Sequence, residues 1–113
     1  LGDTGHMLYG GGDPATLFSR YAERIGHVHL KDIRRDVLEE VKRDRLTFLA
    51  SVRMGVFTVP GDGCIDYGPV IGTLDRSGYE EWLVVEAEQD PAIAEPLAYA
   101  RKARGFIREK AGI

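Results

Sequence analysis

Three acidic or imidazole side chains each end a short apolar run in this chain: Asp3 near its start, His29 within His27-Val28-His29-Leu30-Lys31-Asp32, and Glu86 after Trp82-Leu83-Val84-Val85. Strands running the same way deliver the residues at their ends to one surface, so Asp3, His29 and Glu86 could converge on a single cation. Hard carboxylates with one imidazole and no thiolate cluster suit a divalent metal of the Mn, Co, Mg or Zn type, with positions left over for substrate oxygens. The competing assignment makes Asp3 a turn cap, His29 a hydrogen-bonded core histidine and Glu86 half of an ion pair.

Around these stand residues that could move protons. His6 is expected in the loop after the first strand, close enough to donate a proton or hydrogen bond to a substrate. His27 shares the face of His29 one layer deeper, which makes it structural. Lys31 and Asp32 follow His29 at the strand end, where catalytic groups of barrel enzymes gather; Lys31 is the catalytic candidate, and the alternative is a surface ion pair involving Arg34 or Arg35. Pro60-Gly61-Asp62-Gly63 is a tight turn able to bring backbone close to a substrate. Cys64 has no His-Asp pattern beside it, so it is expected to be a small half-buried residue and not a nucleophile.

The elements that would position these residues alternate. Asp13-Pro14 supplies an N-cap and a proline at the first helical position, and Leu17, Phe18, Tyr21, Ala22 and Ile25 make one apolar stripe that stops at Gly26. A short strand follows at His27 to Lys31, then two helices between Asp36 and Gly55. Val56-Phe57-Thr58-Val59 is β-branched and aromatic, as a buried strand is. Asp66, Pro69, Val70, Ile71 and Leu74 mark another helix closed by Gly78, and Trp82 to Glu86 is a continuous apolar strand of the kind covered on both faces. A last helix is expected from Pro91 onward. This order predicts an α/β fold of parallel (β/α) units. No G-x-G-x-x-G follows a strand, which disfavours a dinucleotide site. A (β/α)8 barrel takes about 250 residues, so roughly four units in 113 residues predict the C-terminal half of a TIM barrel, as one domain over 1–113. A start already at a strand end, without Met, fits a fragment.

Bulk properties narrow the function. Lys plus Arg number 15 against 18 Asp plus Glu, net −3 with the signs interspersed, so no basic footprint for nucleic acid or a membrane surface is present and a small-molecule partner is favoured. One cysteine, with neither a signal-peptide pattern nor a long apolar run, predicts a cytoplasmic protein. A homo-oligomer remains open.

Asp3-Thr4-Gly5-His6, the run from His27 to Asp32, the segment Gly61 to Asp66, and Gly78-Tyr79 through Glu86 together resemble the xylose-isomerase-like barrel superfamily of sugar isomerases, epimerases, dehydratases and endonuclease IV. Within it, Val56 to Gly63, Trp82 to Pro91 and the helical insertion from Asp36 to Gly55 are similar to the inosose dehydratase subgroup of myo-inositol catabolism. The resemblance implies a metal-dependent lyase acting on a polyol or keto-sugar, removing water from 2-keto-myo-inositol through a metal-stabilised enediolate to give a trihydroxycyclohexane-dione. It implies Asp3, His29 and Glu86 as ligands, with His6 and a basic residue after His29, either Arg34 or Arg35, at the substrate. The family's first ligand, a glutamate on an earlier strand, has no counterpart in this chain. A sugar isomerase or epimerase on the same scaffold is the nearest alternative. An endonuclease-like activity would call for a second Asp-x-His pair and a basic groove. The alternative from a different class is an inactive half-barrel that self-associates to cover its sheet edges.

Overall fold

Local capping chemistry places most of the helices. The computed structural model describes residues 1–113, in the order β1 (Gly2–Asp3), α1 (Thr4–Tyr9), α2 (Pro14–Tyr21), a 3-10 turn (Ala22–Arg24), β2 (Val28–Leu30), β3 (Asp32–Ile33), α3 (Arg35–Arg43), α4 (Phe48–Arg53), β4 (Phe57–Thr58), α5 (Gly68–Arg76), β5 (Leu83–Val85) and α6 (Pro96–Ala111). The Asp13 carboxylate accepts the Thr16 N–H at 2.8 Å, Thr47 accepts that of Ala50, and Glu95 accepts those of Leu97 and Ala98, each satisfying amides that a helix start leaves unbonded.

Strands β1, β2 and β5 form one parallel sheet in that order, with Asp3 opposite His29 and His29 opposite Val84. That register sets Asp3 level with His29, while Glu86 follows β5 two positions beyond Val84 and reaches the same end of the sheet with its side chain. Helices α2, α5 and α6 seal one side: Phe18, Val28, Leu30, Tyr67, Val70, Leu74 and Ile107 form the main core. Burying a side chain such as the fully enclosed Phe18 contributes about 1.5–3 kcal/mol.

Four expectations change here. The fourth strand exists, but β4 pairs antiparallel with β3 in a separate two-stranded sheet, so three parallel strands stand where four units were expected. Its buried aromatic and β-branched side chains pack in a second core of Ile33, Leu38, Val56 and Phe57 instead of extending the sheet. His6 lies in α1, not in a loop, because Asp3 caps that helix. The last helix begins at Pro96 and not near Pro91, since Asp90 first folds the chain into a turn by accepting the amides of Ala92, Ile93 and Ala94. Finally, β5 is only half-buried and Trp82 is 77% exposed, so this strand is not covered on both faces; an apolar groove lined by Leu74, Trp82, Leu83, Ile107 and Ile113 runs beside it.

The β3–β4 pair is fastened by two aspartates. Asp32, buried, accepts the amides of Ile33, Gly61, Gly63 and Ile65, which winds the turn after β4 around one carboxylate. Gly63 has to be glycine, because a Cβ there would lie 2.4 Å from the Asp32 carboxylate. Burial pushes the Asp32 carboxyl up, and the four amides oppose that push.

Asp62 accepts Arg34 Nη2 at 2.9 Å, the Thr58 hydroxyl at 2.6 Å and the Lys102 ammonium from α6. Burial alone would raise its carboxyl, but the bonds from Lys102 and Thr58 and the charges of Lys102 and Arg34 hold it below the ordinary range. A carboxyl depressed by folding contributes stability above its unfolded value and loses it as pH falls through the folded one. Replacing Asp62→Asn is therefore expected to lower the unfolding free energy by about 1 kcal/mol at pH 7. The gap to the wild type should close as urea denaturation is repeated below about pH 4.

Candidate metal centre

Asp3 shows how the two competing assignments coexist. Its Oδ1 caps α1 by accepting the His6 N–H at 2.8 Å, while the buried Oδ2 lies 3.1 Å from His6 Nδ1 in a geometry that makes no hydrogen bond. Such an orphan is rare, because a buried acceptor without a donor costs about 1–3 kcal/mol. His29 Nδ1 stands 3.6 Å from that oxygen and 3.1 Å from Glu86 Oε2. One ligand atom from each of Asp3, His29 and Glu86 falls within 4.8 Å of the others, the spread of a set that could hold one cation. The orphaned oxygen and the hard, mixed donor set both fit a divalent metal.

Next to this trio is a lysine with no solvent exposure. Lys31 Nζ lies 3.0 Å from Glu86 Oε2, 2.9 Å from Glu88 Oε2 and 3.2 Å from His6 Nε2, over the face of Phe57 at 5.0 Å. The surface ion pair that Asp32 could have made with Arg34 or Arg35 is absent too, since Asp32 is buried and spent on backbone amides. The stem of Lys31 fits because Gly5 has no side chain: a Cβ there would come within 2.6–2.9 Å of three Lys31 carbons. Burial would raise the Glu86 carboxyl, but the hydrogen bond and charge of Lys31, then the charge and hydrogen bond of His29, hold it below the usual range.

Thr4 joins the two strand ends. Its hydroxyl donates to the Lys31 carbonyl at 2.8 Å, accepts the Lys31 N–H at 3.0 Å, and lies 3.3 Å from the Tyr67 hydroxyl. Burial, reinforced by the charge of Asp32, pushes the Tyr67 phenol well up, so it stays a neutral partner. His6 remains accessible, its side chain 40% exposed, with Phe48 and Phe57 packed around its ring at 6.0 and 5.1 Å.

The sequence over residues 1–110 matches the model of the xylose isomerase-like TIM barrel. The chain belongs to that family. Among its relatives, proteins named inosose dehydratase are 60% identical over 112 residues in Clostridium beijerinckii and 57% identical over 113 residues in Clostridium perfringens, covering 99% and 100% of this chain. One from Geobacillus kaustophilus is 57% identical over 107 residues, 95% of this chain. The chain spans 38%, 38% and 35% of those three relatives' lengths.

For a member of the xylose isomerase-like family, the sequence located most of the cluster: Asp3, His6, His29, Lys31 and Glu86 all meet. Arg34 and Arg35 do not join them. Arg34 is spent beside the β3–β4 pair on Gly55 O, Thr58 and Asp62, and the exposed Arg35 lies by Cys64. His27 packs its ring 5.3 Å from that of His29, in keeping with a structural role. Glu88, Thr4 and Tyr67 were missed. Glu88 had a signal in its two-residue spacing from Glu86, but it is not strand periodicity that brings it back: Glu88 takes φ +44, a left-handed backbone costing a non-glycine residue about 1 kcal/mol. Thr4 and Tyr67 carried none, since only tertiary packing joins them.

Thr4→Val keeps the shape and removes the hydroxyl, leaving the buried Lys31 N–H unbonded. It is expected to cost about 1–3 kcal/mol in urea denaturation, with Thr4→Ser recovering most of it.

Proposed function

We propose that this chain is the C-terminal part of a divalent-metal-dependent hydro-lyase that dehydrates inosose in myo-inositol catabolism, in the cytoplasm. The observation that carries the reading is the buried Asp3 Oδ2, without a hydrogen bond of its own, gathered with His29 and Glu86 at one end of the sheet, in a chain 60% identical to a protein named inosose dehydratase. Three parallel strands are three of the eight in a (β/α)8 barrel, in line with the 38% of the relatives' length that the chain spans, so the portion is somewhat less than a half-barrel. The further ligand and the walls of the cavity would come from the other strands.

Asp3, His29 and Glu86 would hold Mn, Co, Mg or Zn. When bound, such a cation supplies Lewis acidity to adjacent ketone and hydroxyl oxygens, which acidifies the neighbouring C–H. His6, the exposed member of the cluster, takes the proton from the carbon beside the ketone. It returns that proton to the hydroxyl one carbon further on; the C–O bond breaks, water leaves, and the remaining enol tautomerises to the second ketone. Lys31 acts through His6, its ammonium donating to Nε2 at 3.2 Å, and Phe57 and Phe48 pack around the ring and hold its orientation while leaving it accessible.

An isomerase of the same family would share the first proton transfer but lose no water. The discriminating experiment incubates the full-length protein with inosose and Mn²⁺. The expected product is a dione lighter by one water; epimerised inosose without dione would refute the dehydratase assignment. Asp3→Asn, or treatment with EDTA, is expected to lower kcat/KM at least about 100-fold, and added Mn²⁺ should restore only the wild type.

A further inference from the structure

Resting on the metal-centre reading above, we propose that Glu88 is the positioning residue of the site, the standing counter-ion that keeps Lys31 off Glu86 and beside His6.

Lys31 is fully buried, and a buried ammonium needs partners that remain with it. Two carboxylates reach it closely, Glu86 at 3.0 Å and Glu88 at 2.9 Å; Asp3 is at 3.9 Å. Glu86 and Asp3 are the two carboxylates whose oxygens also face His29, so a cation held there draws on both. Glu88 is outside that trio and is then the one close carboxylate left to Lys31.

Geometry gives Glu88 a second contact. The oxygen that accepts from Lys31 also lies 3.1 Å from His6 Nε2, so the ammonium sits between the carboxylate and the ring nitrogen, donating to both. The backbone is bent for this purpose: after β5 the chain adopts its left-handed conformation at Glu88 itself, without a glycine to ease it. Gly5 and Phe57 close the other sides of Lys31, leaving the ammonium no alternative partner toward the protein interior.

If Glu88 is neutralised, Lys31 has only Glu86 close by and competes with the cation for it. The test is a double-mutant cycle read by calorimetric titration of the full-length protein with Mn²⁺. Glu88→Gln is expected to weaken Mn²⁺ binding about 10-fold in the wild type, and at least about threefold less than that in Lys31→Met, where nothing is left to compete. Equal losses in both backgrounds would overturn the proposal, because Glu88 would then act on the cation directly; no loss in either would overturn it too. Lys31→Gln serves for Lys31→Met should that variant not fold. In turnover, Glu88→Asp keeps the charge but shortens its reach, and is expected to lower kcat about 10-fold with KM within about threefold. A wild type that binds no Mn²⁺ refutes the metal centre and the role of Glu88 together. Coupled Mn²⁺ binding without dehydration of inosose refutes only the substrate assignment.

Discussion

An ammonium group with no access to water organises this end of the molecule. Lys31 is fully enclosed, and its charge must be met by the protein: Glu86, Glu88 and, farther off, Asp3 supply the carboxylates, and Phe57 presents its ring face. Leaving such a charge without partners would cost several kcal/mol. The constraint reaches back into the backbone, since Gly5 makes room for the stem and the Thr4 hydroxyl grips the Lys31 peptide from both sides. It reaches forward as well, into the strained conformation of Glu88.

Two mechanical units carry these side chains. The parallel sheet holds Asp3 and His29 in register and brings Glu86 to the same end just past β5, and rigid strand ends hold ligands to closer tolerances than loops do. The antiparallel pair of β3 and β4, wound by Asp32 and tied to α6 through Asp62, places Phe57 against both Lys31 and His6. A buried carboxylate oxygen without a hydrogen bond of its own is the feature that neither unit explains by itself. A shared cation, as proposed, would account for it.

What was legible in the sequence was what local rules govern. Ligand types at the ends of apolar runs, the Asp13-Pro14 cap and the helical stripes need only nearest neighbours, and the cluster around Asp3, His29 and Glu86 assembles as the alternation of strands and helices implies. Parallel or antiparallel pairing of Val56 to Val59 was not legible, because a β-branched run is the same in either sheet and the choice depends on Asp32 capturing amides more than 25 residues away. The depth of Lys31 was hidden for a similar reason: its burial depends on Gly5 and Glu88, each trivial in composition and decisive in position. Asp3 carried two roles that residue type alone made into rivals, a cap and a ligand, and its two oxygens divide them.

If Asp3, His29 and Glu86 share one cation, as proposed, His29 is its imidazole ligand. Pulsed electron paramagnetic resonance on the Mn²⁺-loaded full-length protein reads that bond. Nitrogen modulation from one coordinated imidazole is expected, vanishing in His29→Gln and persisting in His27→Gln. Modulation that survives the loss of His29, or its absence in the loaded wild type, would contradict it.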